Sequence, residues 1–198
     1  MAPRIPLPGR DELDEAQRAV WDNVVSGPRG QVIGPLRAAI HNPELARRWS
    51  AMGEALRFNT SLPKRLSELA IAITGRRWSS QVEWWVHARV AAENAVSPAV
   101  LDAIREGRAP AFQAGDEALV YDFVRELQVD GNVRDATYRA ALLSFGVKGV
   151  VELTALVGYY TMVSMTLNAH GIPLPDGEEE PLKAPQDGLF PLPPRHAP

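Results

Sequence analysis

The sequence predicts an all-α protein of roughly eight helices, and three observations support that prediction. Apolar residues recur at helical spacing over most of the chain, and little of it has the alternating pattern of a strand. Proline, glycine and asparagine separate these segments at positions typical of helix ends. The composition, 45% hydrophobic and 23% charged over 198 residues, is that of a globular domain long enough to bury one core.

The helices of the first half are delimited by breakers and caps. Gly27-Pro28 stops the first helix, whose opening turn carries acids, and a loop follows. Asn42-Pro43 offers a capping side chain and then proline at the first helical position. Pro63 marks the start of the third helix in the same way. We therefore predict helices at 11–26, 42–58, 61–78 and 80–95.

The second half repeats this organisation. Ser97-Pro98 caps a short helix that stops at Gly107, and Asp130-Gly131 begins a turn before the next helix. The least polar stretch, 153–169, lacks charge but is diluted by hydroxyl and amide side chains, so we predict a buried helix and not a membrane span. The predicted helices are 97–107, 116–129, 135–144 and 148–168.

Residues 1–172 are predicted to form one helical domain, and residues 173–198 a proline-rich tail. Eight of the seventeen prolines fall in this tail, which excludes a regular core element. Two placements stay open. The tail is either mobile or lies on the surface, or its segment 189–194 docks on a neighbouring subunit.

Charge and cysteine content exclude several functions. A net charge of −3 gives no global attraction to nucleic acid or to an anionic membrane, so we expect neither as a partner. Arginine and proline interrupt the first ten residues, where a secretion signal needs an apolar run. The chain has no cysteine, which excludes disulfides and thiolate metal sites and fits a reducing compartment. We expect a cytoplasmic protein.

One helical stripe combines three types of reactive side chain. Ser80, Glu83 and His87 stand at i, i+3 and i+7 beside two tryptophans, Trp84 and Trp85. A carboxylate one turn from an imidazole can orient the ring and raise its pKa, which suits proton transfer at neutral pH. The alternative is an ordinary surface ion pair, although the tryptophans favour burial.

Glu68 lies among apolar residues of the preceding predicted helix. A buried carboxylate there would suit acid or base catalysis, whereas a solvated one would pair with Arg65 or Arg76. Tyr159 similarly either hydrogen-bonds a ligand or packs in a core or interface.

Other chemistries lack their motifs. The four histidines form no ligand pair at helical spacing, so we expect no metal and no other cofactor. Neither a glycine-rich phosphate loop nor the Gly-x-Ser-x-Gly elbow of a serine hydrolase is present.

Several spaced motifs share their order with one known family. They are Leu62-Pro-Lys-Arg-Leu66-Ser-Glu68-Leu-Ala-Ile71, Trp78, Glu83-Trp-x-x-His87-Ala and Ala95-Val-Ser97-Pro98. On these motifs the chain resembles the carboxymuconolactone decarboxylase family of the alkylhydroperoxidase D-like superfamily, over most of residues 5–175. The resemblance implies an alkylhydroperoxidase D-like helical bundle that forms homo-oligomers, as a trimer or hexamer.

The resemblance also implies roles for individual residues. The redox members of the superfamily use Cys-x-x-Cys, a histidine four residues later and a glutamate on the preceding helix. The histidine and glutamate correspond to His87 and Glu68, while the two cysteine positions hold Ser80 and Glu83. Thiol peroxidase activity is therefore not expected.

The decarboxylase members need neither a thiol nor a cofactor, so the resemblance implies a cofactor-free lyase for a small carboxylated lactone or a related organic acid. His87, held by Glu83, would stabilise the oxyanion or supply the proton, with Glu68 assisting. The alternatives are a hydrolase or isomerase using the same residues and a non-catalytic small-molecule binding or assembly protein. The residues expected to bind the substrate are Arg77, Ser80, Trp84 and Tyr159.

Overall fold

The computed structural model describes residues 3–183 and 188–195, and these contain eight α-helices and no strand. A single 3-10 turn, Arg10–Glu12, precedes them. The helices are α1 (Glu15–Ser26), α2 (Pro35–Ala39), α3 (Pro43–Phe58), α4 (Lys64–Arg77), α5 (Gln81–Glu93), α6 (Pro98–Glu106), α7 (Gly115–Val129) and α8 (Asp135–His170). The predicted all-α class is confirmed.

Two elements differ from the sequence prediction. Helix α2 was not predicted, because its five residues are too short to show a helical period. The two helices predicted at 135–144 and 148–168 are both present within α8, but they follow each other directly, separated only by a backbone break at Gly146 (φ 66°, ψ 175°). This positive φ favours glycine, so the break falls between the two predicted segments without an intervening loop.

Helix α4 is the centre of the bundle. Every residue from Leu66 to Arg76 is buried, because α5, α7 and α8 all pack against this helix. A helix without a solvent-facing side buries any polar residue it carries. Glu68 is therefore an interior residue, as one of its two sequence interpretations required.

A tight turn joins α4 to α5 and brings them into close contact. The turn contains Ser79 at a positive φ of 48°, and the backbone N–H of Ser80 donates to the carbonyl of Gly75 at 2.9 Å. A Cβ atom on Gly75 would lie only 3.0 Å from the Cβ of Glu83. Glycine thus allows α5 to approach α4 at the position of Glu83.

The described C-terminal segment, residues 188–195, packs on the helices of its own chain. The backbone N–H of Phe190 donates to the carbonyl of Arg77 at 2.9 Å, and Leu192 is buried. Arg195 forms a bidentate contact with Asp122 of α7, at 2.9 and 2.5 Å. Within one chain, segment 189–194 therefore packs on its own helices, and its docking on a neighbouring subunit stays a prediction.

Helix α8 carries an apolar stripe on its outer side. Val147 and Val151 are 72% and 62% exposed, and Met162 and Met165 continue the stripe at helical spacing. Leu143, which is 89% exposed, precedes the break at Gly146. By length and apolarity alone, α8 also meets the requirements for crossing a membrane, as core helices of soluble proteins do. Its inner side packs against α4 and α7.

We propose that copies of the chain associate through the outer stripe of α8. Gly158 lies on this stripe, and a Cβ atom there would meet nothing within 4 Å, so a helix of another copy could approach closely. Val151→Lys would place a charge in that contact and should shift the protein toward the monomer by at least tenfold in dissociation constant. Sedimentation velocity over a concentration series measures the shift.

The matched control is Val25→Lys, which introduces the same charge at an exposed valine of α1. It should leave the sedimentation profile unchanged. A wild-type protein that stays monomeric at high concentration would exclude self-association through α8.

Candidate active site

Glu68 of α4 and His87 of α5 meet in the interior of the bundle. Nδ1 of His87 donates to Oε2 of Glu68 at 2.6 Å, and the two residues are 3% and 0% exposed. A hydrogen bond this short between a ring N–H and a carboxylate is typical of a charge-assisted contact. The structure therefore brings Glu68 and His87 together, which the sequence alone could not establish.

Glu83 lies on the opposite side of the imidazole. Its Oε2 atom is 3.3 Å from Nε2 of His87, but the alignment is poor and Oε2 has no hydrogen-bond partner among the described residues. The imidazole is thus held between two buried carboxylates, one on each ring nitrogen. Glu83 keeps an acceptor free for a further group.

Two cations approach the far side of Glu68. Nζ of Lys64 donates to Oε1 of Glu68 at 2.9 Å, and Nε of Arg57 lies 3.9 Å from the same oxygen. Lys64 stands one helical turn before Glu68 on α4, whereas Arg57 reaches the site from α3. These contacts compensate the cost of burying the Glu68 carboxylate.

The pKa values in the site reflect this pairing. Burial alone would raise the pKa of Glu68, but the hydrogen bond and charge of His87, with those of Lys64, outweigh it and lower the pKa to about 2. Burial opposes protonation of His87, yet Glu68 and Glu83 together raise its pKa above the usual value. The two neighbouring acids therefore favour the protonated form of the imidazole.

Two tyrosines of α8 pack beside the imidazole, and Trp49 of α3 packs against Tyr159. Tyr160 packs edge-on against His87 with ring centroids 5.0 Å apart, and Tyr159 packs against Tyr160 at 5.2 Å. Burial raises the pKa of Tyr159 to about 12, so the phenol stays protonated. Its hydroxyl donates to the carbonyl of Trp49 at 3.3 Å.

The residues predicted to bind the substrate lie in different places. Ser80 is buried at the start of α5, and its hydroxyl has no partner among the described residues, so it faces the interior one turn from Glu83. Trp84 is buried in the hydrophobic core. Tyr159 belongs to the aromatic group of the site.

Arg77 lies at the other end of α4 from Glu68. Nine residues separate them, or roughly 13 Å along the helix axis. Nη1 of Arg77 donates to the carbonyl oxygens of Leu189 and Phe190 in the C-terminal segment, at 3.3 and 2.8 Å. Arg77 therefore anchors the C-terminal segment. Its closeness to Ser80 and Glu83 along the chain does not place it beside Glu68.

Sequence reasoning missed several residues of the site. Lys64 had a detectable signal, because it stands at i, i+4 from Glu68. Arg57 and Trp49 had none, since they lie on α3 and meet the site only through tertiary packing. Tyr160 follows Tyr159 in an apolar helix, and nothing in the local sequence relates it to His87.

A surface cleft of about 440 Å³ lies beside this buried site and not on it. Its lining comes from the N-terminal segment, α2, α3 and the end of α8, and it excludes Glu68, Glu83 and His87. Trp49 is common to the cleft and to the aromatic group that contacts Tyr159. The chemistry of the molecule is thus concentrated in the buried site, with Trp49 between it and the cleft.

Comparison with known proteins identifies the fold. An uncharacterized peroxidase-related protein from Ralstonia eutropha, described as an alkylhydroperoxidase AhpD core, aligns at a TM-score of 0.70 and 17% identity, over 88% of this chain and 93% of that one. An uncharacterized peroxidase-related protein from Silicibacter aligns at a TM-score of 0.69 and 14% identity, over 86% of this chain and 91% of that one. The debrominase Bmp8 aligns at a TM-score of 0.66 and 13% identity, over 89% of this chain and 92% of that one.

No protein-family model matches the chain, and no curated protein is significantly similar to it in sequence. Identities this low establish the fold and not the activity. The protein has the alkylhydroperoxidase D-like fold, without the cysteines that a thiol peroxidase needs.

The shifted pKa values of His87 and Glu68 predict how the free energy of unfolding depends on pH. The folded pKa of His87 is raised above 6.5, so its contribution is complete below pH 6.5 and is lost as the pH rises through the folded value. Glu68 contributes fully above pH 4.5, and its contribution is lost as the pH falls toward about 2. The free energy of unfolding, measured with urea, should decline on the alkaline side of pH 6.5.

His87→Gln is the matching variant, because it removes the titrating ring and keeps a polar side chain of similar length. Its unfolding free energy should lack the alkaline decline that the wild type shows. Parallel curves for the two proteins between pH 6 and 9 would contradict the assignment of His87 as a buried cation.

Proposed function

We propose that the protein is a cofactor-free acid–base enzyme that acts on a small carboxylated lactone or a related organic acid. The observation that carries the proposal is the buried imidazole of His87 between the acids Glu68 and Glu83, with contacts at 2.6 and 3.3 Å. Buried charged groups of this kind are expensive to keep and are concentrated in catalytic sites. The debrominase of the same fold is consistent with an enzymatic role for this architecture.

The contacts of His87 suggest how the proton moves. Both ring nitrogens face acidic side chains, Nδ1 toward Glu68 and Nε2 toward Glu83, so the ring can exchange a proton with Glu83 while Glu68 holds it in place. Glu68 stays ionised and holds the ring orientation, while Glu83 has the oxygen without a hydrogen-bond partner. We therefore assign Glu83 as the group that exchanges a proton with the substrate, and His87 and Glu68 as positioning residues.

A decarboxylation by this route balances without a redox partner. The bond between the ring carbon and its carboxylate breaks, CO₂ leaves, and the electron pair remains on the lactone as a dienolate. A proton then passes from Nε2 of His87 through Glu83 to the carbon, and a water molecule returns a proton to the ring and leaves as hydroxide. Buried N–H and hydroxyl donors would stabilise the dienolate oxygen during this step.

A peroxidase function is not supported. Reduction of a peroxide by the thiol route forms a disulfide, and this chain has no cysteine to oxidise. Peroxide consumption with a dithiol donor should be no faster than in buffer.

Turnover of carboxymuconolactone and related lactones tests the proposal. Glu83→Gln and His87→Ala should each lower kcat about 100- to 10,000-fold, the usual contribution of a positioned acid or base, and Glu68→Gln should act in the same direction. Ultraviolet absorbance of the lactone measures the rate. The matched control is Glu93→Gln, which changes an exposed glutamate of the same helix α5 and should retain full activity.

Two outcomes would overturn the assignment. Equal activity in all three site variants would show that the reaction takes place elsewhere. Failure of the wild type to transform any lactone, with folding intact, would favour the non-catalytic binding protein, and turnover to a different product would favour a hydrolase or isomerase.

A further inference from the structure

Helix α3 presents a row of polar groups to the interior. Trp49, Gly53 and Arg57 stand at i, i+4 and i+8, so they share one face of the helix. The indole Nε1 of Trp49 and Nε of Arg57 are buried, and neither has a hydrogen-bond partner among the described residues. The same face contacts Tyr159 and Glu68 through these side chains.

Gly53 provides the space in the middle of this row. A Cβ atom added to Gly53 would collide with the hydroxyl of Tyr159 and with Nη2 of Arg29. Arg29 comes from the loop after α1, and its Nε and Nη2 atoms are buried without partners in the described part of the chain. Arg29 and Tyr159 therefore converge beside α3, in the volume that only glycine leaves open.

The charges around this row do not cancel. Glu68 and Glu83 are the two carboxylates of the site, and both already face the His87 ring. Three cationic side chains lie around them, because Arg57 and Lys64 approach Glu68 and Arg29 lies beside Gly53. A row with more cations than carboxylates, and with buried N–H groups that make no hydrogen bond to the described residues, is complementary to an anion.

The position of the donors relates them to the proton relay. Tyr159 packs against Tyr160, and Tyr160 packs against His87, with ring centroids 5.2 and 5.0 Å apart. Arg57 approaches within 3.9 Å of Glu68. An anion held along α3 would thus lie next to the relay and not at a separate surface.

We propose that Arg29, Arg57 and the indole of Trp49 form a subsite that binds the carboxylate of an organic acid, with Gly53 as the residue that admits Arg29 to it. This inference rests on the proposed function and deepens it, because it names the groups that orient the substrate. A planar carboxylate matches the fork of a guanidinium, and the indole adds a single donor. The chemical class of ligand is a small carboxylate, aliphatic or aromatic.

Binding measured without turnover tests the subsite. Isothermal titration calorimetry with succinate and benzoate should show binding to the wild-type protein, whereas benzamide, which has the same ring without the charge, should not bind. Inorganic phosphate should bind more weakly than benzoate. Absence of binding by either carboxylate at millimolar concentration, or stronger binding of phosphate, would overturn the proposal.

The variants separate the two arginines from general damage to the fold. Arg29→Gln and Arg57→Gln should each weaken benzoate binding about 10- to 100-fold, because each removes a charge-assisted hydrogen bond. Trp49→Phe should weaken it less. Unchanged affinity in both arginine variants would contradict the subsite.

Gly53→Ala tests the geometry while keeping every charge. Its added methyl group would displace Arg29 and Tyr159, so benzoate binding should fall as it does in Arg29→Gln. The matched control is Gly115→Ala at the start of α7, where a Cβ atom meets nothing within 4 Å. Equal affinities in the two alanine variants would exclude a role for the Gly53 gap.

His87→Ala distinguishes failure of the subsite from failure of the proposed function. It should lose turnover and still bind benzoate within about threefold of the wild type, because the subsite does not include the ring. Lactone turnover without carboxylate binding would overturn only the subsite, and carboxylate binding without turnover of any lactone would overturn only the enzyme assignment.

Discussion

The carboxylate of Glu68, buried in the central helix, is the constraint on which the rest of the structure depends. A lone charge at that depth would cost several kcal/mol, so α4 can occupy the centre only if other helices bring cations to it. His87 comes from α5, Arg57 from α3, and Lys64 from the first turn of α4 itself. The packing of α3 and α5 against α4 therefore also neutralises the charge of Glu68.

Small residues make this packing possible at two places. Gly75 allows α5 to approach α4 where Glu83 is carried, and Gly53 leaves room for Arg29 and Tyr159 beside α3. In both cases a methyl group would occupy volume that a functional side chain now fills. The site is thus shaped as much by missing side chains as by the charged ones.

The sequence predicted local features well and tertiary ones poorly. Helix ends followed from caps and breakers, and the stripe of Glu83 and His87 followed from helical spacing. The pairing of Glu68 with His87 came from family resemblance, because nineteen residues and a turn separate them. Arg29 and Arg57 had no local signal, since what distinguishes them is buried guanidinium N–H groups that make no hydrogen bond to the described residues. Arg77 shows the converse error, in which proximity along the chain was taken for proximity in space.

The C-terminal segment also has a consequence for the order in which the molecule is completed. Arg76 is buried, and it forms no ion pair with the described residues. The carbonyls of Arg105 and Lys183 accept hydrogen bonds from it, and the ring of Phe190 lies 3.0 Å from its guanidinium carbon. Residues 183 and 190 follow the eight described helices along the chain, so the interior arginine of the central helix is covered only when this later segment has packed against the bundle.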